Sequence, residues 1–427
     1  MRIKLIFAFL FVANFLAAQP FKNIKIHEGP SAGGPEEPSI FISPKDTNIV
    51  VAGANINNVY YSKDGGRTWV NDKLESRYGV WGDPVIIANE KGHFFFFHLS
   101  DPTGENWDSE EILDRIVVQR SKNGGESWNR GWDIGENHPK DQDKEWADVH
   151  PNSNNLICTW TEFDDYGSKD TADHSRILFS KSWSNGRWWS KPVTISDNLG
   201  DCLDDDNTTE GAVPAWGLNE EIYVAWSYDN KIWFDRSLDG GKNWLEDDKV
   251  IAQQPGGWSQ EIPGIMRCNG FPVTVVDRSE GPNRGTVYVT WTDQRNGEDD
   301  TDVWIISSAD SGKTWSDPVR INDDNVAAHQ FLTWLDVDNS TGYLYSIFYD
   351  RRNHQDNKTD VYMAVSKDGG KTWNNQKISE SPFTPKKGVF FGDYNNISAQ
   401  DGMIRPIWTR LENNKISVWT AIVYGEN

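Results

Sequence analysis

The sequence predicts an all-β fold, a single closed β-propeller of seven blades, with six blades as the alternative; two superimposed repeats carry this prediction. The first is a turn motif, S-x-D-x-G-x-T-W, read at Ser62 to Trp69, Ser121 to Trp128, Ser237 to Trp244, Ser308 to Trp315 and Ser366 to Trp373. Asn123, Ser127 and Asn243 are its tolerated variants, and a worn sixth copy runs from Ser182 through Gly186 to Trp189. The second repeat is an apolar or aromatic strand followed at once by polar or charged residues. It occurs seven times, at Val50–Asn55, Phe94–Asp101, Ile157–Glu162, Tyr223–Asp229, Tyr288–Arg295, Tyr345–Arg352 and Arg405–Arg410.

The elements follow in chain order. Arg2 and Lys4 precede an apolar run from Leu5 to Leu16, and Ala17-Ala18-Gln19 offers a cleavage site, so residues 1–18 read as a signal peptide and 19–427 as the propeller. The chain is therefore expected to be secreted or periplasmic. No comparable apolar run follows, and no membrane insertion is expected. Each of the first six second-strand repeats leads into a third strand and then the turn motif. The last unit, Gly392 to Val423, has three strand signals and no motif. Phe21 to His27 is expected to supply its fourth strand, closing the ring and hiding its edges.

The turn motif has a structural reading. Its Asp accepts hydrogen bonds from nearby backbone N–H groups, its Gly supplies positive φ, and its Trp folds back to bury a large apolar surface. Joining third strands to fourth, the motifs all fall on one face. The segments leading into first strands and those following second strands fall on the other.

Forty-two basic against 64 acidic side chains give a net charge of −22, which excludes nucleic acid as a partner. Three cysteines exclude a disulfide scaffold: Cys158 reads as a core residue, and Cys202 and Cys268 are expected to pair across adjacent loops. No cofactor is required by any motif. Asp204, Asp205 and Asp206 form a candidate Ca²⁺ loop, with a plain solvated loop as the alternative. No zinc, phosphate-loop or serine-hydrolase pattern appears.

On the face opposite the motifs, second strands deliver Asp101, Glu162, Asp229, Asp293, Arg295, Asp350, Arg352 and Arg410. Arginines gathered on one wall suit bidentate capture of a carboxylate or sulfate. The alternative is that each pairs with the Asp of its own blade, as Asp293–Arg295 and Asp350–Arg352 invite.

The repeated turns resemble the Asp-boxes (BNR repeats) of sialidase-like β-propellers. That resemblance implies a glycan-active enzyme, a glycoside hydrolase acting on an acidic oligo- or polysaccharide; the chain is expected to be a monomer. It also implies roles: Arg295, Arg352 and Arg410 as the carboxylate triad, Tyr394 as nucleophile, Glu210 as its partner and Asp83 as the acid; Glu162, delivered by a second strand, is a further substrate-binding candidate. The chain departs from the sialidase pattern at Gly33-Gly-Pro-Glu-Glu-Pro38, where no Arg-Ile-Pro signature stands. A second reading is a polysaccharide lyase resembling seven-bladed ulvan lyases, with His98 as the base beside Tyr394 and Arg352 or Arg410. A third is a non-catalytic propeller that binds glycan or protein.

Overall fold

Each second-strand repeat becomes the interior of a four-stranded antiparallel meander, and seven such sheets close into one ring, as the repeats predict. The computed structural model describes residues 21–425; the expected signal peptide lies outside them. From the first blade to the seventh, the innermost strands are Ser39–Ile42, Gly82–Ala88, Asp141–Val149, Glu210–Trp216, Val273–Val276, Gln330–Asp338 and Asn396–Gln400. Among the described residues the sole helical piece is the short turn Asn106–Asp108, and no helix is long and apolar enough to cross a membrane.

Blades pack face against face, so second strands are buried on both sides and read as continuous apolar runs rather than alternating ones. Phe94–Leu99 and Leu156–Phe163 are buried at every position. Outermost strands such as Val70–Lys73 are exposed throughout.

The ring closes where the sequence indicates. Lys22–Glu28 pairs antiparallel with Lys415–Tyr424, completing the seventh sheet with the N-terminal segment on its outer edge. The buried Arg405 ties the seventh blade to the first by donating to the Gly65 carbonyl at 2.7 Å.

The turn motifs lie between third and fourth strands. In the first, Asp64 Oδ1 accepts from the Arg67 and Thr68 amides at 3.0 and 2.9 Å, and Oδ2 from the Thr68 hydroxyl at 2.6 Å. Trp69 Nε1 returns to the Gly66 carbonyl at 3.0 Å, and Trp128, Trp189 and Trp373 repeat that bond.

Candidate active site at the mouth of the channel

Four innermost strands carry the same irregularity just after they begin. Two residues oppose one across the ladder: Asp83–Pro84 face His98, Lys144–Glu145 face Trp160, Gly211–Ala212 face Trp226, and Leu332–Thr333 face Phe348. The first bulge residue is left-handed each time, with φ of 50°, 52°, 78° and 49°. Glu37, leading into the first blade, has φ 53°. Glycine takes such angles freely; Asp, Lys, Leu and Glu do so at a cost, and bulges of this kind re-aim side chains. Here they turn Glu37, Asp83 and Lys144 into a cavity of about 320 Å³ at the channel mouth.

Glu36, Asp143, Tyr166 and Arg267 share the walls of that cavity, with Trp81, Trp107 and Phe390 as its aromatic surfaces. Its electrostatics rest on two carboxyl pairs. Asp83 lies beside Glu37, and Glu210 beside Asp204, close enough for each carboxyl to perturb its partner. Carboxyls this close share protons because both cannot ionise cheaply. Burial, then the Glu37 and Asp143 charges, hold Asp83 well above the carboxylate range, and burial with the Asp393 carboxylate pushes Glu37 up to about 7. Burial alone lifts Glu36 to about 7. Against its own burial, Asp204 is held low by Lys144 and Arg267.

The two cations are already engaged. Lys144 Nζ lies 3.2 Å from Asp393, 3.5 Å from Asp143, 3.6 Å from Asp204 and 4.0 Å from Glu210. Arg267 donates from Nε to Asp393 Oδ1 at 2.9 Å and from Nη1 to Asp204 Oδ2 at 2.7 Å. These carboxylates outweigh the burial that would discharge Lys144 and raise its pKa well above the ordinary lysine value.

Beneath the acids the channel is stopped by aromatic rings. Trp146 of the third blade and Trp334 of the sixth meet across the axis with centroids 4.0 Å apart, and Tyr394 and Phe271 pack around them. Below this plug a second cavity opens among the innermost strands, lined by Trp146, Asp148, Arg278, Trp334 and Asp336.

The structure distributes the sequence candidates unevenly. Asp83 lines the cavity, whereas Glu210 lies fully buried behind Lys144. Tyr394 belongs to the plug: it is 3 % exposed, its hydroxyl has no hydrogen-bond partner, and burial and the acids above it raise its pKa, the opposite of an activated nucleophile. His98 is corrected to a core residue. It faces a bulge where other blades place Trp160, Trp226 and Phe348, bonds the Leu99 carbonyl and Gln119, and burial lowers its pKa to about 4.

The arginine triad is also corrected, because each member is held within its own blade or against a neighbour. Arg295 binds Asp293 at 2.9 Å and stacks on Trp304; Arg352 binds Asp350 at 2.8 Å and stacks on Tyr362; Arg410 binds Ser381 and Glu412 and stacks on Trp419. Glu162 is likewise enclosed by Asn137, Lys140 and Arg176.

The candidate Ca²⁺ loop is dispersed: Asp204 faces Arg267, Asp205 accepts its own turn's Asn207 amide at 2.9 Å, and Asp206 accepts the Ser259 amide at 2.8 Å. Among the described residues no group of three His, Cys, Asp or Glu is arranged to hold a metal ion. The expected disulfide is absent too. Cys202 and Cys268 are buried free thiols in different surroundings, the first beside Asp164 and Asp165 of the third blade, the second beside Leu332 and Arg351 of the sixth.

The cavity's Lys144 and Arg267 went unnoticed in the sequence. Arg267 lies in the long Pro- and Gly-bearing connection between the fourth and fifth sheets, and Lys144 in a bulge that no turn residue marks.

The BNR/Asp-box repeat family matches residues 60–70, the first turn motif. No curated protein matches the sequence. Among solved structures, an ulvan lyase bound to a -[GlcA(1-4)Rha3S]- oligosaccharide matches at 11 % identity and TM-score 0.53, covering 94 % of this chain and 96 % of that one. The NanB sialidase from Streptococcus pneumoniae matches at 9 % identity and TM-score 0.53, covering 93 % and 85 %. An α-L-arabinofuranosidase from Fusarium graminearum matches at 14 % identity and TM-score 0.52, covering 82 % and 98 %. The likeness at these identities is one of fold.

Proposed function

Proceeding from an Asp-box propeller with a carboxyl-rich mouth, we propose that the chain is a glycoside hydrolase that cleaves an uncharged glycan. The observation that carries this reading is that Asp83, beside Glu37, lines one cavity with the Lys144-paired Asp143. Glycoside hydrolysis needs one carboxyl that keeps its proton and one carboxylate that does not. Asp83 is the acid: burial and Glu37 keep it protonated, and its proton passes to the glycosidic oxygen as the bond to the anomeric carbon breaks. Asp143, ion-paired with Lys144 at 3.5 Å, is the carboxylate that meets the anomeric carbon directly or through water. Water supplies the hydroxyl to that carbon and restores the proton to the acid. Trp81 and Phe390 offer flat apolar surfaces to the sugar ring at Asp83.

Charge selects the substrate class. The expected acidic glycan rested on three arginines that now sit elsewhere, and Lys144 and Arg267 are neutralised by Asp143, Asp204 and Asp393. A uronate or sialate would meet further carboxylates and no free cation. The lyase reading loses its base in His98 and the cation it needs for the carboxylate. Of the enzymes that share the fold, the arabinofuranosidase is named for an uncharged sugar, which accords with this choice. Export, expected from the N-terminal run, suits a polysaccharide substrate.

The test is a screen of the purified protein against p-nitrophenyl glycosides and against arabinan, xylan, glucan, mannan and ulvan. Release of reducing sugar from an uncharged polymer, abolished in Asp83→Asn, is expected. Absorbance of an unsaturated uronate from ulvan means a lyase instead, and binding without turnover by the wild-type protein means a recognition module.

A further inference from the structure

Trp107 is a large apolar side chain in an exposed position, 56 % exposed, on the connection between the second and third strands of the second blade. The C-terminal end of that connection is firmly seated. Its end is tied by the Leu113 amide to the Ser100 carbonyl at 3.0 Å and by the Gln142 amide to the Leu113 carbonyl at 2.7 Å, and Ile112 and Leu113 are buried. The exposed indole is therefore presented by a loop anchored at that end.

One face of Trp107 is covered. It stacks on Tyr166 of the third blade, with centroids 5.6 Å apart and planes 26° off parallel, and meets Trp81 edge-on at 6.0 Å. Tyr166 is itself fixed, its hydroxyl donating to Asp204 at 2.8 Å and its amide to Asp141 at 2.7 Å. The stacked pair forms a ridge. On one side lies the cavity of Asp83; on the other lies a third cavity, of about 430 Å³, whose walls include Asp108, Glu110, Asp141, Asp164 and Asp165.

Exposing an indole beside two cavities gains the fold little, whereas an indole face matches the C–H face of a sugar ring. The walls beyond the ridge decide which sugar. Carboxylates accept hydrogen bonds from hydroxyls and repel uronates and sulfates. The nearby Lys140 and Arg176 are each bound to Asp164 at 2.8 Å and also reach Glu162, so neither is free to receive an anion.

We propose that the Trp107–Tyr166 ridge is a second sugar subsite, and that an uncharged glycan chain held at Asp83 continues across it into the acidic cavity beyond. The proposal rests on the hydrolase reading and adds chain length to it: the protein takes several linked sugars rather than a single terminal unit.

The experiment is calorimetric titration of the full chain carrying Asp83→Asn with hexasaccharides of arabinan, xylan, cellulose and mannan, and with a hyaluronan hexasaccharide as the anionic probe. At least one uncharged hexasaccharide is expected to bind. Adding Trp107→Ala should weaken it about tenfold, and Trp107→Phe, which keeps a flat ring, should retain most of the affinity. The hyaluronan fragment should not bind. Uncharged binding that Trp107→Ala leaves unchanged overturns the subsite alone, as does hyaluronan binding that it weakens. Failure of every uncharged hexasaccharide to bind overturns the hydrolase reading beneath it. Because Trp107 is exposed, a folding defect is not expected, and circular dichroism of each variant verifies this.

Discussion

Asp83 and Lys144 stand at the same bulge of neighbouring blades, each a non-glycine residue held at left-handed φ. One is a carboxyl that burial and its neighbours keep protonated, the other an ammonium that its neighbours keep charged. The equivalent position of the fourth blade is Gly211, which takes the same backbone without strain. Leu332 holds the same angle in the sixth blade but is buried in the core, so of the three strained positions Asp83 and Lys144 are the two that face the cavity.

Asp83→Asn tests the acid with least disturbance, because Asn also tolerates left-handed φ. Turnover of the substrate found by screening is expected to fall by about 10²- to 10⁴-fold, with the thermal midpoint nearly unchanged. Initial rates and thermal unfolding measured on the same preparation check both halves. A wild-type rate in this variant would remove Asp83 from the mechanism.

Lys144→Met leaves Asp143, Asp204 and Asp393 without the buried ammonium they share. Breaking a buried ion pair from one side costs about 3–5 kcal/mol. Urea denaturation should show a loss of that order. A variant as stable as the wild type would mean that Arg267 alone suffices to hold the acids.

Stability should be greatest in mildly acidic solution. Burial raises Glu36 and Glu37 from the ordinary glutamate value to about 7, and Asp235, Asp248 and Asp336 from the aspartate value to about 7. Between about pH 4 and 7 the folded chain then binds more protons than the unfolded chain, so stability falls as pH rises through that window. The turn motifs act in the opposite sense. Against partial burial, donors from Thr68, Ser62 and Arg67 hold Asp64 at about 2, and donors chiefly from Asn243 hold Asp239 at about 2. Their contribution is present above about pH 4 and is lost as pH falls toward 2. A thermal midpoint that peaks near about pH 4–5 and is several degrees lower at pH 8 is expected by scanning calorimetry; a midpoint that climbs steadily to pH 8 would contradict the buried-acid assignments.

Asp368→Ala removes four hydrogen bonds in the last turn motif: from the Lys371 amide, the Thr372 amide and hydroxyl, and the Ser366 hydroxyl. Each is worth on the order of 1 kcal/mol, less where solvent competes. Stability should drop measurably while the rate per folded molecule stays put, since the motifs lie on the face away from Asp83. A folded variant with lost turnover would place the site on the wrong face.

The architecture was legible because it is written in repeats. The second strands recur in all seven blades and the Ser–Asp–Gly–Trp turns in six, one of them worn, and the Phe21–His27 segment announces itself by the missing fourth strand of the last unit. The site was legible only in part. Asp83 was within reach because it stands at the start of an innermost strand, and propeller geometry points such positions at the axis. The arginines misled because a charge following a strand has two equally simple fates, ligand or its own blade's Asp, and Asp293 and Asp350 lie two residues away. Lys144 was hidden by the bulge: counting alternate residues along a regular strand assigns it the wrong direction. Trp107 was one tryptophan among 22, most of which sequence logic correctly assigns to packing.

The meeting of Trp146 and Trp334 on the axis has a consequence for traffic. A ring whose bore is stopped cannot be threaded, so no polymer passes through this molecule from face to face. Whatever reaches Asp83 must come in end first or fold over the rim, and what is released must back out by the way it came.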